Sequence, residues 1–502
     1  MWYLKEENLN EINRPSREAT YSLGNGYFGV RGFFEEEQEG LLSLGGIYIG
    51  GIFGDGNLKA WNGINRELVN VPNFLSVKIL CDNETVSFND VTDYSRILDI
   101  KNGILTRSYV WKNKLKLEFE RFVSVADIHV VCQRIKLTPL KDVSVVIDDT
   151  INTENSNLNK VSCEPLPIQP GDKHYNVISK SKNEILIETD GMASEKINIK
   201  QFTQFENNVF TRIVSVYTSR NVDVDADKAP ILTYEEYLNR HCVEWQKRWE
   251  IADISIENNP EDQLALRYNL FQLMQAAPNN DPGISIGARG LTGEMYEGCI
   301  FWDTEIFQMP FFIFENPSVA KELLRFRYNM LPAAKKHAED LWFKGAMYPW
   351  QSCNLGFEQT EQNVGAFYAI HIVSDIAYAL MQYYRATGDM EFMLDCGIEM
   401  LIETSRFWQS RVTKRDNGSY DLLAVRGPNE YDVTVNNNCY TNMMVQENLR
   451  NAILMIDEAK NNYIERWNDI SLKTDFSAVE LEEWAQIADN IVICYNEALK
   501  LY

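Results

Sequence analysis

No stretch of this 502-residue chain approaches the roughly 18 consecutive apolar residues of a membrane-spanning helix, which excludes that class of protein. Positive charge is scarce. There are 48 Lys and Arg against 72 Asp and Glu, a formal net charge of −24. Such a surface repels phosphate backbones and anionic bilayers, so neither nucleic acid nor a membrane is an expected partner. Histidine is rarer still, at 5 residues with no pair at metal-ligand spacing, and the 9 Cys include no Cys-x-x-Cys. Neither a metal site nor a disulfide framework is expected, and the Cys read as small apolar residues in a reducing compartment. No Ser or Cys has a neighbouring base in a nucleophile setting, which leaves acyl transfer without support. The opening Met1-Trp2-Tyr3-Leu4-Lys5-Glu6-Glu7 lacks a basic and then apolar leader pattern, so a cytoplasmic location is expected.

What is present is ordinary globular material, 45% hydrophobic and 24% charged, in a length that accommodates two or more domains. Aromatics reach 12%, with 11 Trp, a surplus that suits stacking on sugar rings as well as core packing. Residues 1–230 alternate with period two between turn signals, as in Leu115-Lys116-Leu117-Glu118-Phe119-Glu120, and predict antiparallel sheets packed as a sandwich. Gly24-x-Gly26-x-x-Gly29 mimics a dinucleotide fingerprint. It has no preceding strand of a βαβ unit and no following helix, so tight turns or close backbone approach explain the glycines better. Over 231–280 the period becomes helical: Tyr237, His241, Trp245 and Trp249 fall four apart, and 261–277 repeats the pattern, forming a helical linker. From 281 to 502 the chain reads as helical, with a long helix opened by Asn316-Pro317 and others over 361–386, 389–412, 440–461 and 477–500. Paired helices joined by Gly-, Trp- and Asn-rich loops extrapolate to a toroid with a site at one end.

Three loops concentrate unusual chemistry. In the first, Trp302 precedes Asp303, which suits stacking on a sugar face beside a carboxylate that accepts hydroxyl hydrogen bonds, although Asp303 equally fits a helix cap. The second carries Tyr348-Pro349-Trp350-Gln351 and a further candidate carboxylate, Glu358. The third is Arg426-Gly427-Pro428-Asn429-Glu430-Tyr431-Asp432, followed by Asn436-Asn437-Asn438-Cys439-Tyr440-Thr441-Asn442. It offers one carboxylate, Glu430, in a turn, with an amide supply suited to a hydroxyl-covered ligand. His371 and Asp375, one turn apart on an apolar stripe, read as a hydrogen-bonded core pair ahead of a catalytic one. Paired carboxylates are the best chemical idea that remains, and glycosidic cleavage is the reaction that needs them.

At these residues the sequence resembles glycoside hydrolase family 65, the maltose, trehalose, kojibiose and nigerose phosphorylases with their hydrolase relatives. The matching motifs run in order. They begin at Leu23-Gly24-Asn25-Gly26-Tyr27-Phe28-Gly29-Val30-Arg31-Gly32 and pass through Phe301-Trp302-Asp303-Thr304-Glu305, Tyr348-Pro349-Trp350-Gln351 and Glu403-Thr404-Ser405-Arg406-Phe407-Trp408. They end at Arg426-Gly427-Pro428-Asn429-Glu430-Tyr431 and the triple Asn. The resemblance implies a multidomain β + α fold: an N-terminal β-supersandwich, a helical linker and an (α/α)6 barrel, here incomplete. It implies inverting phosphorolysis of an α-glucosidic, maltose-like disaccharide to β-glucose 1-phosphate, with Glu430 as general acid and no cofactor beyond inorganic phosphate as co-substrate. Trp302 and Asp303 fall on the donor-sugar subsite and the loop ending near Glu358 on the acceptor subsite. Trp350, Arg426 and Asn438 are the further expected substrate-binding residues. A homodimer through the β-domain is also implied.

Two departures qualify the match. Asp432 stands where the family often has His, which puts acceptor preference in question. Family members also run well past 700 residues, so the chain is expected to lack later barrel helices and the phosphate-binding segment, and to turn over poorly alone. The alternatives are a hydrolase of the same fold and a non-catalytic carbohydrate-binding fragment.

Overall fold

In the computed structural model the described residues are 1–502 except 9–12, 37–42, 44, 61–62, 89, 159–170, 222–231, 279–280, 361–364 and 432–433; side chains of 57–60 and 63–64 are also outside the description. The chain forms two compact units. One comprises Met1–Asp55, Glu67–Asn279 and Arg289–Gly298, and the other Gly56–Arg66, Asn280–Ala288 and Cys299–Tyr502.

The first unit is built on a nine-stranded antiparallel sheet. Its strands run in the order Tyr3–Glu6, Val91–Asp99, Ile104–Trp111, Leu115–Val123, Val130–Pro139, Val209–Thr218, Lys196–Glu206, Glu184–Thr189, Tyr175–Lys180. Period-two alternation sets the face, because successive side chains point to opposite sides of a strand. Leu115, Leu117 and Phe119 are buried with Tyr109, Trp111, Ile135 and Leu137, while Lys116 and Glu118 lie on the opposite face. A small sheet of Val145–Asp148, Lys78–Cys81 and Glu84–Thr85 lays Ile79, Cys81, Val145 and Ile147 onto that core, giving the expected sandwich. The glycine-rich stretch forms a tight hairpin, Leu23–Gly24 against Phe28–Val30, with Gly26 at φ +84°. A Cβ on Gly26 would overlap the Ala277 carbonyl, and one on Gly29 the Leu291 carbonyl. These glycines serve close backbone approach and not a phosphate.

Two helices of the first unit follow the sheets, Tyr234–Ala252 and Pro260–Ala276. A reciprocal Thr233–Glu236 capping box starts the first, which buries Tyr237, His241, Trp245 and Trp249 as their spacing predicts. Asn259 caps the second, Pro260 opens it, and Arg267 holds Asp253 through two bonds of 2.7 and 2.8 Å.

The second unit is helical, with three corrections to the expected elements. The single helix expected after Asn316 is two, Pro317–Asn329 and Leu331–Asp340, because Pro332 cannot continue the hydrogen-bond ladder of the first. The helix expected over 361–386 is Ile372–Thr387, preceded by a short Gly365–Tyr368 turn; Val364 lies outside the described residues. The region 464–500 holds Ile464–Thr474 and Val479–Asn490, and then leaves the helix where β-branched Ile491 bridges Tyr420. Among the described residues Cys439–Asn462 is the longest helix; it packs on Ile398–Arg411, Ile372–Thr387 and Val479–Asn490, and its Val445, Leu449, Ala452 and Ile456 are buried.

Candidate active site

The site is built from three loops of the helical unit. The first enters through Ile300, which pairs with Ser352 by two backbone bonds of 2.8 and 3.0 Å, and runs through Phe301, Trp302 and Asp303 into the wide helical turn Thr304–Gln308. Beneath it lies a fully buried ion pair. Arg327 Nε and Nη2 donate to Glu305 at 2.7 and 2.9 Å, and Nη2 also donates to the Phe301 carbonyl at 2.9 Å. With Phe301 and Glu305 fixed, Trp302 and Asp303 have little freedom. Asp303 makes no capping hydrogen bond with its side chain, so the helix-cap alternative falls away.

The Trp302 ring meets His371 edge-on at 4.8 Å between centroids, Tyr440 at 6.1 Å and Trp350 at a tilted 6.3 Å. Trp350 is itself buried and edge-on to His371 at 5.2 Å. His371 Nδ1 lies 2.6 Å from Asp375 Oδ2, and the Tyr440 hydroxyl donates to Asp375 Oδ1 at 2.8 Å. His371 and Asp375 are thus the buried, bonded pair expected, but their place is the wall behind Trp302 and Trp350 and not a remote core. Tyr440 carried no assigned role in the sequence, and neither did Arg327. The signal available for the pair was its four-residue spacing on one helix face, which does not reveal what the face meets.

Glu358 is buried and bonded within its own loop. Its carboxylate accepts from the backbone N–H of Trp350 (2.8 Å), Gln351 (3.2 Å) and Thr360 (3.0 Å) and from the Thr360 hydroxyl (2.6 Å). Three of these bonds fall on Oε1 and one on Oε2, so Glu358 shapes the loop under Trp350. The asparagine run is likewise bonded within its own loop. Asn436 Oδ1 accepts from Ala424 N–H, Asn437 Oδ1 from Leu422 N–H, and Asn438 Oδ1 from the N–H and hydroxyl of Thr441 as the cap of Cys439–Asn462. The amides hold the loop and start the helix.

That scaffold presents Glu430. Val425 and Val435 pair across the loop, Glu430 N–H closes a turn onto the Gly427 carbonyl, and Glu430 adopts φ +59°, uncommon for a non-glycine. Backbone strain of this sort is retained where it holds a functional group in place. The side chain is 46% exposed. Arg426 donates through Nη2 to the Glu430 carbonyl at 2.8 Å and lies 3.7 Å from its carboxylate. Asp432 lies outside the described residues.

Burial pushes the Asp303 carboxyl above its ordinary pKa, and the like charges of Glu305 and Glu430 push the same way, so Glu430 is within electrostatic reach of Asp303. A carboxyl raised on folding binds its proton more tightly in the folded state. Stability from this group is therefore greatest in acid and is lost as pH climbs through the folded pKa. Asp303→Asn is expected to raise the melting temperature at neutral pH, with a gain that shrinks as pH falls toward the ordinary value of 3.8. Melting curves across pH check this; a gain independent of pH would count against it.

Comparison with known proteins agrees with the geometry. The glycosyl hydrolase family 65 N-terminal domain model matches residues 4–248 and the family's central catalytic domain model matches 267–502. A kojibiose phosphorylase of Caldanaerobacter subterraneus subsp. tengcongensis is 35% identical, over 100% of this chain and 72% of that protein. A maltose phosphorylase of Bacillus subtilis is 31% identical, over 100% of this chain and 71% of that one. A solved structure described as a putative kojibiose phosphorylase from human microbiome superposes with a TM-score of 0.86 at 26% identity, covering 99% of this chain and 70% of that one.

Proposed function

The chain belongs to glycosyl hydrolase family 65, and on that premise we propose that its site cleaves an α-glucosidic disaccharide by inverting phosphorolysis. Glu430 donates a proton to the leaving oxygen, and phosphate attacks the opposite face to give β-glucose 1-phosphate. Phosphate is already an anion and needs no general base. Trp302 packs on the donor glucose and Asp303 accepts its hydroxyls, each such charge-assisted bond contributing on the order of 1.5–3 kcal/mol. Arg426 positions Glu430 through the turn carbonyl, and Trp350 backs Trp302. The observation that supports this reading is one exposed carboxylate on a strained turn, Glu430, in the same helical unit as the half-buried Asp303 that follows Trp302 in the aromatic wall.

Kojibiose takes precedence over maltose as the substrate to test, since the kojibiose-cleaving relative is 35% identical and the maltose-cleaving one 31%. The test incubates the chain with each sugar, with and without phosphate. Glucose 1-phosphate is expected only with phosphate, and faster from kojibiose. Equal glucose release without phosphate would replace this reading with the hydrolase alternative. Absence of glucose binding would overturn both.

A further inference from the structure

The mechanism above leaves one buried polar atom of the site unused. His371 is fully buried, and its Nε2 finds no hydrogen-bond partner among the described residues. Everything else about the ring is fixed. Nδ1 lies 2.6 Å from Asp375 Oδ2, and the second Asp375 oxygen accepts from the Tyr440 hydroxyl at 2.8 Å. With Asp375 ionised and one donor on each of its oxygens, the neutral imidazole carries its hydrogen on Nδ1 and keeps a lone pair on Nε2. Nε2 stands across the ring from Nδ1 and so faces away from Asp375. The rings edge-on to His371 are Trp302 at 4.8 Å, Trp350 at 5.2 Å and Tyr440 at 5.6 Å. An acceptor held rigidly beside the proposed sugar wall with no protein partner among the described residues is costly unless a donor meets it.

Resting on the reading given under Proposed function, we propose that His371 Nε2 accepts a hydrogen bond from one hydroxyl of the glucosyl unit stacked on Trp302. Asp375 and Tyr440 act as positioning residues that set the tautomer. The site thereby reads a hydroxyl donor at one ring position, and it discriminates against pyranoses that lack that donor or carry it on the other face. An apolar wall could not do this, because a hydrophobic pocket rejects a deleted hydroxyl weakly while an orphaned acceptor rejects it strongly.

The test measures binding of D-glucose and of its 2-, 3-, 4- and 6-deoxy and deoxyfluoro analogues to the chain by titration calorimetry. One position is expected at which the deoxy and fluoro analogues both bind about tenfold more weakly than glucose, since neither donates. In His371→Phe glucose should weaken by a similar factor, while the analogue altered at that position should bind as well as glucose does. Asp375→Asn carries the test if His371→Phe does not fold. Its side-chain amide donates to Nδ1 and moves the imidazole hydrogen to Nε2, so the fluoro analogue, an acceptor, should regain affinity over the deoxy one. Parallel weakening of every analogue in either variant would overturn the proposal, reducing the pair to a structural or water-bonded group. Failure of the unmutated chain to bind glucose would instead remove the reading on which the proposal rests, and the proposal with it.

Discussion

Glu430→Gln is expected to slow glycosidic cleavage by roughly 10²–10⁴-fold, the usual contribution of a positioned general acid, while glucose affinity stays within a few fold. The amide is nearly isosteric and cannot deliver a proton. The turn that carries it should survive, because its bonds are made by other groups: the Val425–Val435 backbone pair, the Asn436 and Asn437 amides, and Arg426 on the Glu430 carbonyl. Stability should therefore move by no more than about 0.5 kcal/mol, as for an exposed substitution away from structural contacts. The diagnostic comparison uses α-glucosyl fluoride, whose leaving group needs little protonation. The variant should lose far less rate on the fluoride than on kojibiose. Equal losses on both substrates would mean that Glu430 supports the site without acting as its acid.

How much of this was legible in the sequence depends on whether a residue's role is set locally. Period-two strands such as Leu115–Val123 and the Tyr237-His241-Trp245-Trp249 stripe read correctly, because burial of one face is written in residue spacing. Glu430 and Trp302-Asp303 stand out as candidates because a carboxylate in a Gly-Pro turn and an aromatic beside an acid are unusual on local grounds. The loop bonds of Glu358 and of the asparagines were not legible. An amide or carboxylate looks the same in sequence whether it bonds a ligand or its own loop, and the partners of Glu358 lie two to eight residues away in a backbone shape that only folding fixes. His371 was read correctly as paired and incompletely as placed: its partner is four residues away, whereas Trp302 comes from a distant loop and Tyr440 from the first turn of a distant helix.

The Arg327–Glu305 pair was the least legible, and it sets the second large expectation. Glu305→Ala should cost about 3–5 kcal/mol, the usual penalty for stranding one charge of a buried pair. Both side chains are fully buried, and the lost partner makes two of the guanidinium's bonds. The damage should also reach the site. Arg327 touches the Phe301 carbonyl and the Ser352 hydroxyl, while its own carbonyl accepts from Tyr348, so one cation ties the Trp302 and Trp350 loops together. Glucose affinity should fall along with stability, although no atom of the pair is proposed to touch sugar. Denaturant unfolding of the single variant and of Glu305→Leu with Arg327→Met separates the causes. Removing both charges also removes the stranded ion, so the double variant should be more stable than Glu305→Ala. It should still bind glucose poorly, because the hydrogen bonds that join the two loops remain absent. A double variant as unstable as the single would mean that packing, and not an uncompensated charge, sets the cost. A double variant that bound glucose normally would mean that the two loops hold their positions without Arg327.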